Sequence, residues 1–209
     1  MNTINELIER AHSQAKAMGW WDEERNTGEL LMLVVSECGE ALEAHRKGRM
    51  GKWQDCTLSM VDADGALCLD EDLWVDDFKE FIKDGFADEL ADIVIRIADL
   101  LGKYPADPED IKTFDERTNT DDLLDIVNGV PENMGYALLT LVDVIMDDNG
   151  IDVDGDGNDA ALRDHSVTML GACVYAFAIA RKHNIDLWRH IDLKLRYNLT
   201  RGVRHGKAY

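Results

Sequence analysis

Two pairs of carboxylates, Glu37 with Glu40 and Glu89 with Asp92, stand three residues apart inside stretches that are otherwise mostly apolar. Residues at i and i+3 project from one helix face, so two such helices laid side by side gather four acids. Taking a charge out of water costs several kcal/mol even after relaxation, and a whole domain is held together by only about 5–15 kcal/mol. Four neighbouring carboxylates must therefore be solvated, protonated or bound to a cation. Clustered Asp and Glu oxygens suit hard cations, and Mg²⁺ in particular binds through a few carboxylates together with substrate phosphates.

The pairs do not sit equally deep on a helical wheel. Glu37 falls inside the apolar sector of Leu30, Leu33, Val34, Ala41 and Ala44, with Glu40 at its edge. Glu89 borders Ile93 and Leu100, and Asp92 shares a polar stripe with Arg96 and Asp99. Such placement fits a cleft between helices better than a sealed core. Either pair alone reads as ordinary polar-face acids, but the C-terminal segment adds a complement. Lys194, Tyr197, Asn198 and Arg201 stand at i, i+3, i+4 and i+7 on one face, and Arg204, His205 and Lys207 follow in a glycine-flanked tail. Phosphoryl-type transfer needs metal ions on the phosphate and cationic or amide donors on the leaving group.

Stepping along the chain, a first helix is expected over about 3–18, closed by Gly19 before Trp20 and Trp21. A second over about 27–47 carries Glu37 and Glu40, and a third over about 76–103 carries Glu89 and Asp92. The segment between them contains an Asp-Gly turn flanked by short apolar runs at 56–69, which reads as a small β-hairpin insertion. After Pro105 the chain is acidic and loosely patterned to about 158, with one helix expected at about 132–148 and a longer one at about 159–183. Asp152, Asp154, Asp156 and Gly157 open like a calcium loop, but the twelfth position is Arg163, so the stretch reads as a plain acidic turn.

With 209 residues, 45% of them hydrophobic, and 3 prolines, the chain can bury a real core as one domain spanning 1–209. No apolar run reaches membrane-spanning length and the N-terminus reads as an amphipathic helix, so a soluble, cytoplasmic protein is expected. Cys38, Cys56, Cys68 and Cys173 show no CxxC spacing and read as free thiols. A formal charge of −20 argues against nucleic-acid binding, because phosphate neutralisation needs basic surface. The tail from Arg189 to Tyr209 is the exception, with six Lys/Arg against Asp192 alone.

Four segments, AMGWWDEER at 17–25, VSECGEALEA at 35–44, DELADIV at 88–94 and KLRYNLTRGVRHGK at 194–207, together resemble the MazG-like nucleoside triphosphate pyrophosphohydrolases. These belong to the all-α NTP pyrophosphatase group, related to dimeric dUTPases. The resemblance covers 1–48, 80–103 and 184–209. It implies an all-α, MazG-like antiparallel helical bundle with insertions at about 49–79 and 104–183, the latter adding helices before the C-terminal one. It also implies that Glu37, Glu40, Glu89 and Asp92 hold Mg²⁺, with Mn²⁺ a possible substitute, while water attacks the α-phosphorus and releases pyrophosphate. Lys194, Asn198, Arg201 and Lys207 match positions that meet the triphosphate, with Tyr197 and His205 beside them in the same motif. Trp20 and Trp21 lie where such proteins shape the base or sugar pocket, one of the two being read as core. Ser36 stands where some relatives place an extra acid as general base. Compact relatives assemble as dimers or tetramers, so a homodimer or homotetramer is expected unless the extra helices replace a borrowed pair.

Two other functional classes fit part of the same sequence. An acidic helical interaction protein or nucleic-acid mimic would explain the charge but not the basic tail. A hydrolase of another pyrophosphate-containing nucleotide would explain both.

Overall fold

The computed structural model describes residues 3–53, 71–146 and 165–202. Helix α1 (Ile4–Ala17) starts where the Thr3 hydroxyl accepts a hydrogen bond from the Glu6 amide, and it buries Ile4, Leu7 and Ala11. Helix α2 (Thr27–Arg46) is capped in the same way by Asn26, whose side chain accepts from the Glu29 amide. Helix α3 (Glu71–Asp77) runs into a π-helical turn over Phe78–Ile82. Then come α4 (Phe86–Lys103), α5 (Pro108–Asn119), α6 (Asp122–Gly129), α7 (Met134–Ile145), α8 (Ser166–Lys182) and α9 (Leu187–Leu199). All secondary structure among the described residues is helical, as the sequence predicts. The hairpin expected at 56–69 and the acidic turn at 152–157 lie outside the described residues, as do Cys56 and Cys68. Cys38 and Cys173 are buried free thiols.

Helix α4 occupies the centre, packed against α1, α2, α8 and α9. Its apolar residues surround the axis, from Phe86, Leu90 and Ile93 to Val94, Ile97 and Leu101, all essentially buried, as befits an interior helix. Helix α8 is the second interior element and lies against α4, α5, α6 and α7, while α7 also covers α2. A smaller core of Trp74, Phe78, Ile82, Leu193 and Tyr197 joins the α3 segment to α9.

The third helix departs from expectation in a way that matters for function. The continuous helix predicted over 76–103 is interrupted at 83–85, where Asp84 takes a positive φ of 58° and Gly85 packs on the chain at Gly51. A Cβ on Gly85 would lie 2.7 Å from the Gly51 Cα, so the helix cannot run straight through. The amides of Phe86 and Ala87 donate instead to the carbonyls of Arg49 and Met50, a backbone cap in place of a side-chain one. Asp88 and Glu89 thereby fall in the first turn of a new helix, where the exposed amides favour negative charge. Helices α5 and α6 are additions to the expected elements: α5 is mostly polar and α6 spans only eight residues, and they anchor through Phe114 and Leu123 with Ile111, Ile126 and Val127 partly buried against the core.

Glycines in α4 and α2 give opposite predictions. A Cβ on Gly102 would lie 2.4 Å from the Cβ of His12 on α1, the root of a side chain that cannot swing aside. Gly102→Ala is therefore expected to destabilise by roughly 1–3 kcal/mol through overpacking. Nothing stands within 4 Å of the corresponding position on Gly39, so Gly39→Ala should stabilise by roughly 0.5–1 kcal/mol through chain entropy. Urea unfolding of the two variants checks the opposed signs.

His190 on α9 is buried, with Nε2 accepting from the Trp53 amide at 3.4 Å. Burial, with Arg189 adding a smaller repulsion, lowers its pKa to about 3. The ring is therefore neutral in the folded state and charges more readily in the unfolded chain. Its contribution is full above the ordinary histidine pKa near 6.5 and is lost as the pH falls toward about 3. By linkage this group alone removes about 2 kcal/mol at pH 5. Denaturation at pH 7 and at pH 5 should show the native chain losing that amount relative to His190→Gln, a difference that isolates the ring from Glu89 and Asp88, whose raised pKa values act in the opposite sense over the same range.

Candidate functional site

Helices α2 and α4 cross so that Glu37, in the middle of one apolar face, meets the first turns of the other. Glu37 and Glu89 are 5% and 3% exposed, and Asp92 is half-buried beside them. One carboxylate oxygen from each of the three lies within 4.8 Å of the others, close enough for a single small cation to touch all three. Glu40 is exposed and lines the same cleft one turn along α2. A second trio, Asp84, Asp88 and Glu89, meets the same distance condition and shares Glu89.

The chain supplies two cations of its own to this acid cluster. Arg96 Nε donates to Glu37 Oε1 at 2.6 Å. Lys194, from α9, places Nζ 2.6 Å from Asp88 Oδ2 and 2.7 Å from Asp92 Oδ2. Burial opposes the Lys194 ammonium, but Asp92 and Asp88 outweigh it and hold its pKa above the usual lysine range. Burial likewise raises Asp88 to about 6, against the pull of Lys194. Glu37 is raised by burial, opposed by Arg96.

Glu89 makes no ion pair among the described residues, and Lys194 only partly offsets its surroundings. Burial first, then the neighbouring Asp92 and Asp88, push its pKa up to about 9, so near neutral pH it carries a proton when no further cation is present. Asp88 Oδ1 is buried without a partner. Both facts describe a site short of positive charge, and an all-oxygen donor set of this kind fits Mg²⁺ or Mn²⁺.

The acids open onto a cleft of about 250 Å³ lined from α1, α2, α4 and α9. Of the residues expected to meet substrate, Lys194, Asn198, Arg201 and Trp20 border it. Lys194 serves the acids first, through the two ion pairs above. Asn198 Oδ1 is buried without a partner. Tyr197 faces elsewhere, its ring stacked 4.5 Å from Phe78 in the smaller core. Trp21 packs against the main core and donates Nε1 to Asp99 Oδ1 at 2.8 Å, so of the two tryptophans Trp20 is the one that borders the cleft. His205 and Lys207 lie outside the described residues.

Sequence reasoning missed Asp88, Arg25 and the cationic role of Arg96. Arg25 borders the cleft, donates to the Trp20 carbonyl at 3.0 Å and lies over the Trp20 ring. Arg25 and Arg201 make no ion pair among the described residues, which leaves two guanidinium groups for an anion. The signal for Arg96 was its place on the Asp92–Arg96–Asp99 stripe. Asp88 had none, because its partner Lys194 is 106 residues away. Carboxylates that can hold a divalent cation thus face guanidinium groups that can hold phosphate across one cleft. No family model, curated protein or solved structure matches this chain.

Proposed function

We propose that this chain is a Mg²⁺-dependent, MazG-like nucleoside triphosphate pyrophosphohydrolase, which converts an NTP or dNTP to the monophosphate and pyrophosphate. The observation that carries the reading is the convergence of Glu37, Glu89 and Asp92, from two helices, in a cleft that Arg25 and Arg201 also line. Bound there, Mg²⁺, or Mn²⁺ in its place, would neutralise phosphate oxygens and acidify water.

The chain's own residues divide the remaining work. Glu37, Glu89 and Asp92 would hold the cation, and Lys194 fixes the Asp92 carboxylate through its 2.7 Å ion pair. Water oxygen bonds to the α-phosphorus, the bond from that phosphorus to the bridging oxygen breaks, and its electron pair leaves with pyrophosphate. Glu40, exposed at the lip one turn from Glu37, is placed to take the proton that water gives up. Arg25, Arg201 and the amide of Asn198 receive the anionic leaving group.

Incubation with ribo- and deoxyribonucleoside triphosphates and Mg²⁺, followed by product separation, tests the reading. Monophosphate and pyrophosphate in equal amounts are expected, with turnover stopped by EDTA and restored by Mn²⁺. Nucleoside diphosphate with inorganic phosphate, or no turnover of any nucleotide, would contradict it.

A further inference from the structure

The cleft is longer than a cation and its phosphates require. It follows α4 from Glu89 and Asp92 to Asp99 and Leu100, and Gln14, Met18 and Trp20 line it as well. Asp99 is seven residues beyond Asp92, two helical turns or about 10.5 Å on the same face. That is the order of the distance from the α-phosphate of a nucleotide, across the sugar, to the polar edge of its base.

Asp99 is also held in a particular way. Trp21 donates Nε1 to Oδ1 at 2.8 Å, and His12 Nδ1 lies 2.8 Å from the same oxygen. Both ring nitrogens meet Oδ1, and no hydrogen bond among the described residues reaches Oδ2. Asp99 lines the cleft, and a carboxylate fixed at one oxygen leaves the other as a rigid acceptor.

We infer that Asp99 determines base specificity, its Oδ2 accepting a hydrogen bond from an exocyclic amino group, so that amino-bearing bases are preferred over uracil and thymine. This rests on the pyrophosphohydrolase reading and adds the substrate class to it. Cytosine offers an amino group at the position where uracil carries a carbonyl, and a carbonyl oxygen set against a fixed carboxylate loses the hydrogen bond and meets repulsion. A well-made contact to a base edge is worth about 1–3 kcal/mol of discrimination, which is on the order of tenfold to a hundredfold.

The test compares kcat/KM for dCTP and dUTP, with Mg²⁺, in the native chain and in Asp99→Asn. The indole nitrogen of Trp21 can only donate, so the asparagine oxygen must stay on Trp21 and its amino group must face the cleft. The native chain is expected to favour dCTP on the order of tenfold or more, and Asp99→Asn to reverse the preference toward dUTP. Equal use of both nucleotides by the native chain, or a preference that Asp99→Asn leaves in place, would overturn the assignment while sparing the enzyme reading. Failure of the native chain to hydrolyse any nucleotide overturns both. Should Asp99→Asn not fold, Trp21→Phe frees Oδ1 from one anchor and is expected to bring the native ratio toward one; an unchanged ratio contradicts the inference.

Discussion

Glu89→Gln is expected to lower kcat/KM on nucleoside triphosphates by on the order of a thousandfold, about 4 kcal/mol of transition-state stabilisation, while leaving the melting temperature of the metal-free protein unchanged or higher. The two halves of this result come from the same carboxyl group. With its pKa raised to about 9 by burial and by Asp92 and Asp88, Glu89 is already neutral in the metal-free fold near pH 7, and glutamine replaces it with little change in charge or shape. In the loaded site the same position must supply a negative oxygen, which glutamine lacks. Steady-state kinetics alongside thermal melts in EDTA separate the two effects. A large fall in melting temperature would mean that the carboxylate supports the fold and that the activity loss follows from unfolding.

Lys194→Met is expected to have the largest effect on stability, roughly 3–5 kcal/mol, because it strips the counter-charge from buried acids. Asp88 is wholly buried and already has one oxygen without a partner. Removing the ammonium leaves its other oxygen with only the Asp84 amide, at 3.0 Å. Asp92 loses its 2.7 Å contact at the same time. The penalty is that of stranded charge, not of lost packing, so Asp88→Asn added to Lys194→Met should recover much of it. Urea denaturation of both single variants and the double variant measures the coupling. Additive losses would contradict a buried ion pair.

The two predictions divide what the residues disclose from what only folding discloses. Glu37 was legible as a buried acid because it stands in an apolar sector whose 3.6-residue period survives all of α2. The ends of α1 and α2 follow from capping residues and periodicity. The start of α4 does not, since the break at 83–85 is set by contact between Gly85 and Gly51, a tertiary event that no helical wheel contains. That one break decides the environment of Asp88 and Glu89, and through Asp88 the role of Lys194. A face count on α9 alone read Lys194, Tyr197, Asn198 and Arg201 as one set, yet α4 draws Lys194 into the acids and Phe78 draws Tyr197 into a core. Asp99 was visible only as one more acid on a polar stripe, because its meaning depends on His12 and Trp21, which reach it from 87 and 78 positions away.

The central claim is that oxygens of Glu37, Glu89 and Asp92 together bind a divalent cation. Crystals soaked in Mn²⁺ at a concentration that supports turnover give the most direct reading, through the anomalous signal of the metal. The account predicts a peak at coordination distance from all three carboxylates, absent in Glu89→Gln. A map with no peak among them, or with manganese bound elsewhere in the active protein, would contradict it.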